Sequence, residues 1–416
     1  MSEAGPDGTT VILSRRDVAI TVLVGAAGAM LAWALSLMLV FTEGHLDVWF
    51  ESDSVYILSQ ITDRLSEYNQ SNGHHPLYPL IGFGTMWILG DWLGVADAVG
   101  TRLLLFTSSA LFAASMFAAL RLLNRPRPVA LLFTAVLLLT SPGLLFLGIH
   151  ERLIPGGLTV LLCVIAAAAW RRGLAPRWPV VAAAALALGI TITNFMTATL
   201  LVAATTRIRQ AARLLVLAFA IVQVLSLVTV LTFPRSTVFP YPGTWPWFSS
   251  IWTDLDDIEY RAGTMAQKST AFWMHSVVMP DARVQTKLVA EPVMRYVSFQ
   301  HVPLAAHRWP GVAALAAWLV TLAAGLVLAV RGGEAIELAL AAALGAQWCL
   351  FIVFGEETVL YAPYYVPLAM LLASKAAAAG WHDWRVRVAM VAWPLLLAWN
   401  NLTVFAQARA TALGLL

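Results

Sequence analysis

The chain has 416 residues, 60% of them hydrophobic and only 12% charged, with a mean hydropathy of +0.76. This excludes a water-soluble globular domain. It describes a polytopic helical membrane protein: apolar runs near the roughly 20 residues of a membrane helix recur, and no alternating barrel pattern does. The net charge of +3 says less than the placement of the charges, no feature suits a nucleic-acid partner, and Cys163 and Cys349 lie in apolar runs that exclude a disulfide framework.

In chain order, the apolar run 18–41 follows Arg15 and Arg16, is too long for a signal peptide and lacks a small-residue cleavage site. It reads as a retained first span. Residues 42–75 hold Glu43, Asp47, Glu51, Asp53, Asp63 and Glu67 against Arg64 alone. Basic residues gather instead at Arg15 and Arg16, at Arg121, Arg125 and Arg127, at Arg171, Arg172 and Arg177, at Arg207, Arg209 and Arg213, at Arg331, and at Lys375, Arg385 and Arg387. Because cytoplasmic loops carry the Lys and Arg excess, the N-terminus is expected inside and 42–75 outside.

Keeping Arg121 inside requires that one of the runs 77–90 and 101–120 not cross. Residues 76–98, interrupted by Pro79, Gly82, Gly84, Gly90 and Gly94, read as interfacial or re-entrant helices. Spans are then expected at 102–121, 129–149 and 153–170. A hairpin of two short helices over 179–206 turns near Thr193, Asn194 and Phe195, and a span at 212–233 follows. An outer insertion at 234–310 precedes spans at 311–330, 335–354, about 359–378 and 388–408. The expectation is an all-α polytopic fold of about eleven transmembrane helices. It is a single membrane domain over 1–416, whose first outer loop, 42–100, carries the candidate site.

This topology collects Glu51 and Asp53, His74 and His75, Arg102, Glu151 and Arg152, and Glu356 and Glu357 on one face, where ionisable groups at membrane depth are candidates for function. The bland alternative is that loop ends simply carry polar residues. Asp53 begins a stretch in which Leu58, Ile61, Leu65 and Tyr68 share one helical face and Asp53, Tyr56, Gln60, Asp63 and Glu67 the other, the pattern of a helix lying on a membrane surface. In NGHHPLYPL (72–80) an Asn-Gly turn precedes two imidazoles suited to a phosphate or a metal, although no HxxxH or HExxH spacing supports the metal. The aromatic stretch FPYPGTWPWFSSIWTDLDDIEY (239–260) is an interfacial belt or a stacking platform for a sugar. Tyr361, Tyr364 and Tyr365 in FGEETVLYAPYYVPL (354–368) are a girdle or ligands for a phosphate or sugar hydroxyl, and Asn69-Gln70-Ser71 is formally an N-glycosylation sequon.

Four features together resemble the GT-C class of membrane glycosyltransferases, which includes the protein O-mannosyltransferases, the aminoarabinose transferases acting on lipid A and the arabinofuranosyltransferases. They are an acidic pair (Glu51, Asp53) after span one, a His-Pro element (His75, Pro76, Leu77, Tyr78), an arginine (Arg102) atop span two, and an acidic residue (Glu151) after span three. The resemblance covers roughly residues 15–215. One proline follows the histidine where the usual pattern has two, no lysine comes after it, and a large C-terminal soluble domain is lacking.

The resemblance implies an inverting transfer of one sugar from a polyprenyl-phosphate carrier to a glycan or lipid-linked acceptor at the extracytoplasmic face of a bacterial inner membrane. Asp53 would be the general base, with Glu51 the weaker candidate. Arg102 with His74, His75 or Arg152 would hold the leaving phosphate, Glu151 would position the acceptor or a cation, and Tyr361 and Glu357 would complete the substrate site. No cofactor motif is present; a divalent cation is left open. Membrane lipids are the remaining partners. A flippase of lipid-linked sugars would use the same lipids without chemistry, but tends to show repeated halves and mid-span charges, which the sequence lacks.

Overall fold

The computed structural model describes residues 13–39, 48–50, 52–69, 74–240, 263–287, 294–353 and 357–415. Helix α1 (Arg15–Met38) starts at a capping box: Ser14 Oγ accepts the Asp17 N–H while the Asp17 carboxylate accepts the Ser14 N–H, so two donors of the first turn are satisfied reciprocally. After α2 (Ser54–Thr62) and α3 (Tyr78–Trp87, running into a π turn Ile88–Trp92), α4 (Asp97–Leu122) packs along α1. Small residues make that approach close. A Cβ on Gly28 would stand 2.8 Å from Ala113 Cβ and 2.9 Å from Ser109 O.

The chain continues through α5 (Arg127–Leu139), α6 (Leu153–Arg171), α7 (Trp178–Ile190), α8 (Asn194–Thr205) and α9 (Ile208–Thr232). The short α10 (Met265–Thr270), with its π turn Ala271–His275, and the strands β1 (Arg283–Lys287) and β2 (Met294–Ser298) come next. Helices α11 (Trp309–Gly332), α12 (Ala335–Val353), α13 (Ala362–Gly380) and α14 (Trp384–Leu413) complete the described chain. Among the described residues seven helices, α1, α4, α6, α9, α11, α12 and α14, are long and apolar enough to cross a membrane. The other expected spans are helical as well. However, α5, α7 and α8 are short, and α13 is diluted by Pro363, Tyr364, Tyr365, Pro367 and Lys375.

Buried ion pairs lock one end of the bundle. Asp17 takes Arg121 Nε at 3.0 Å and Arg127 Nε at 2.8 Å, and Glu337 takes Arg125 Nη2 at 2.6 Å together with Lys375 Nζ. These contacts bring the starts of α1 and α12 and the ends of α4 and α13 to one place, so basic clusters far apart in sequence share an end.

The residues between α9 and α11 do not simply cap the other end, because α10 and its π turn insert among the helices. Ser141 Oγ donates to His275 O at 2.8 Å, and Ser276 Oγ meets Tyr365 Oη at 2.9 Å. Asn401 Oδ1 accepts the Met279 N–H at 2.9 Å while its Nδ2 donates to Leu139 O and Val277 O, both at 2.8 Å. Lys268 is buried and donates to Ile352 O at 3.1 Å.

Two expectations are corrected, and the helical fold gains one hairpin. The helix expected across 129–149 stops at Leu139: Thr140 turns extended, Pro142 has no N–H to continue the helical ladder, and a π turn Pro142–Phe146 resumes the path. The amphipathic helix from Asp53 ends at Thr62, where Asp63 Oδ1 accepts the Leu65 N–H at 2.8 Å in a local turn. Its buried face is Ser54, Ile57, Gln60 and Ile61, while Leu65 is exposed and Gln60, expected on the polar face, donates to Tyr68 O. The all-α reading also misses the antiparallel β1–β2 hairpin, in which Val284 faces Val297. Val297 bonds on its other side to the first loop, through Phe50 N–H to Val297 O at 3.0 Å and Val297 N–H to Val48 O at 2.9 Å. Glu51, Glu356 and most of the aromatic stretch 239–260 lie outside the described residues.

Candidate active site

Two helix starts meet at the end of the bundle opposite the Asp17 and Glu337 ion pairs. Asp53 occupies the cap of α2 yet makes no side-chain capping bond, so its carboxylate is not consumed by its own helix. Instead its Oδ2 accepts from Arg152 Nη2, the cap residue of α6, at 2.8 Å. Asp53 is about half exposed, at 47% of its side chain, whereas the Arg152 side chain is 9% exposed. The guanidinium makes no other hydrogen bond to the described residues, leaving N–H groups free to take a second anion.

Glu151 fixes this geometry. One carboxylate oxygen accepts the Asp53 backbone N–H and the other accepts the Arg152 backbone N–H at 2.9 Å. Burial, and next the Asp53 carboxylate, push its pKa up to about 7. Through these two bonds Glu151 clamps the two helix starts together.

His74 and His75 arrive on a loop stitched to the α7–α8 turn: His75 Nδ1 lies 2.6 Å from Ile190 O, Leu77 N–H donates to Gly189 O at 2.8 Å and Ile192 N–H to His74 O at 3.3 Å. A carbonyl only accepts, so His75 Nδ1 carries the proton. Burial first and Arg152 second lower both pKa values, that of His75 well below the usual histidine range. Neutral imidazoles are poor counter-charges for an anion, whereas the Arg152 guanidinium carries a full charge. Their rings are 6.5 Å apart at 78°, and among the described residues no group of three or more His, Cys, Asp or Glu side chains has the geometry to hold a metal.

Aromatic hydroxyls complete the surroundings. Tyr361 stacks on Phe351 (4.6 Å, 11°) within electrostatic reach of Asp53, Glu151 and Arg152, and burial raises its pKa. Tyr78 and Tyr364 feel Glu151 and Arg152 as well, and Tyr364 Oη is 3.4 Å from Thr191 Oγ1. Glu357 is buried, and both of its oxygens accept from Ser298 Oγ, at 2.7 and 2.9 Å, which ties it to the hairpin that also anchors residues 48–50. Arg102 stands apart. It is exposed on α4, and the titratable group it influences is His150, whose pKa is lowered to about 4 by burial and then by Arg102. Asn69 is fully buried, with its amide donating to Asp63 O and Arg64 O, so it is no accessible sequon.

The sequence reading missed the α7–α8 turn as a wall of this site, although Thr191-Ile192-Thr193-Asn194 is a polar interruption of an apolar run. It also missed Ser298, which no local motif marks. Below His75 an almost wholly apolar groove of about 680 Å³ runs between α7 and α9, from Leu77 past Val181, Ala185, Leu217 and Ile221 towards Trp178 and Arg177. Comparison with protein-family models, curated proteins and solved structures gave no match, so the reading rests on this geometry.

Proposed function

We propose that the chain is an inverting glycosyltransferase that moves a sugar from a polyprenyl-phosphate carrier to a glycan or lipid-linked acceptor at the extracytoplasmic face of a bacterial plasma membrane. The observation that carries the reading is the half-exposed Asp53 carboxylate held 2.8 Å from a buried guanidinium with donors to spare. A displacement at an anomeric carbon needs a base on the incoming side and a cation on the leaving side, so in this reading the substrates enter between Asp53 and Arg152 and part their 2.8 Å contact. In this reading Asp53 removes the acceptor hydroxyl proton as that oxygen bonds to the anomeric carbon. The bond from that carbon to the phosphate oxygen breaks with its electron pair, and Arg152 stabilises the phosphate as it departs.

The tyrosines at 78, 361 and 364 offer hydroxyls to the sugar, and the apolar groove beside Leu77 suits an isoprenoid tail. The positive-inside rule would put the end with Arg121, Arg125, Arg127 and Lys375 in the cytoplasm together with the N-terminus, and the Asp53 end outside. The test is mass spectrometry of envelope glycans and lipid-linked sugars in a host lacking the gene. The expected result is loss of one sugar and accumulation of its lipid donor on the outer leaflet, restored by the wild-type chain. A donor trapped on the inner leaflet would make the protein a flippase, and unchanged glycans and lipids would overturn both readings.

A further inference from the structure

A second polar constellation lies away from Asp53. His275, at the end of the π turn after α10, is fully buried, and its Nδ1 lies 3.1 Å from Phe299 O. Because a carbonyl only accepts, Nδ1 carries the proton and Nε2 presents a lone pair. That Nε2 is buried and has no hydrogen-bond partner. Beside this ring is His307, 8% exposed and one residue before the cap of α11, both of whose ring nitrogens are buried and without partner. Buried polar atoms are nearly always satisfied, so three orphaned nitrogens around one pair of rings call for a ligand.

The spacing identifies its class. The ring centres are 5.3 Å apart with the planes at 54°. No hydrogen bond joins the rings directly, since none of the three nitrogens has a partner. Two imidazoles on one ion, at Zn–N bonds of about 2.0–2.1 Å and a tetrahedral angle, bring their ring centres to about 5 Å, which matches. The carbonyl on His275 Nδ1 is the outer contact that fixes the tautomer of a metal-bound imidazole.

We propose that His275 and His307 form a two-histidine site for a divalent transition-metal ion of the zinc class, completed by water, which staples the inserted π turn to the start of α11. The assignment is independent of the transferase reading and of the His74–His75 loop.

The test uses the full-length chain purified in detergent with any affinity tag removed, stripped with EDTA and titrated with Zn²⁺ or Co²⁺ alone. The wild type is expected to take up one equivalent, to show the visible bands of tetrahedral Co²⁺, and to melt several degrees higher with Zn²⁺ than after EDTA. His275→Gln and His307→Gln should each lose the equivalent and the bands, while His74→Gln keeps both. Unchanged uptake in the two variants, no uptake by the wild type, or loss on His74→Gln instead would overturn the site. If a variant does not fold, the wild-type melting decides: a reversible EDTA/Zn²⁺ shift supports the site and an unmoved midpoint rejects it.

Discussion

Arg152 Nη2 meets Asp53 Oδ2 at 2.8 Å across a sequence separation of 99 residues, so the loops after α1 and before α6 converge on one charge pair. If the guanidinium carries the departing phosphate, Arg152→Gln should lower transfer by about 10²–10³, the usual effect of deleting one preorganised donor. Arg152→Lys, which keeps the charge and loses the planar fork, should restore part of it. Rates of sugar transfer in membranes at matched expression decide this, and a wild-type rate in Arg152→Gln would remove the arginine from the mechanism.

Glu151 predicts two opposite pH trends. Each of its oxygens accepts a backbone N–H, and protonation spoils one acceptor, so activity should fall as pH drops through about 7. Its folded pKa lies above the ordinary 4.5, so folding favours the protonated form. This group's contribution to stability is therefore complete at low pH and is lost as pH rises from 4.5 to about 7. In Glu151→Gln, activity should be low and both slopes flat, as read by transfer rate and thermal midpoint against pH. Unchanged slopes would show that another group titrates.

Asn401, fully buried, ties the inserted segment to α5: it accepts the Met279 N–H and donates to Val277 O and to Leu139 O. Asn401→Leu orphans the Met279 N–H and two carbonyls. It should lower stability by about 3 kcal/mol, at roughly 1–3 kcal/mol for each buried unsatisfied group with partial relaxation. A midpoint within a degree of wild type would mean that the segment is held elsewhere.

At the opposite end, Glu337→Ala should destabilise by about 3–5 kcal/mol, because it leaves the buried Arg125 guanidinium without a counter-charge. The pair Glu337→Leu with Arg125→Met should recover most of that loss. Equal damage from the single and double variants in thermal melting would contradict a charge-based account.

Helix positions were legible because apolar length and arginine placement are local signals: Arg121, Arg125, Arg127 and Lys375 announce the end they share. Asp53, Glu151 and Arg152 stood out as charges at the edges of apolar runs. Their division of labour did not, because whether Glu151 clamps a backbone or meets a substrate depends on which N–H groups the fold brings to it. Gln60 faces inward because its amide reaches Tyr68 O, a contact that periodicity does not encode. The docking of β2 on residues 48–50 escaped notice because the Val48–Val297 bond joins segments about 250 residues apart. His275 and His307 stand 32 residues apart in sequence with no ligand spacing between them.

If Asp53 is the base, Asp53→Asn removes the group that takes the acceptor's proton. The substitution keeps the shape of the side chain and a hydrogen bond to Arg152 while removing the proton acceptor. In a strain lacking the gene, at expression equal to wild type, Asp53→Asn should leave the envelope glycan without its sugar and the lipid donor accumulated, although the protein folds and reaches the membrane. Full restoration of the glycan by Asp53→Asn would contradict the central claim.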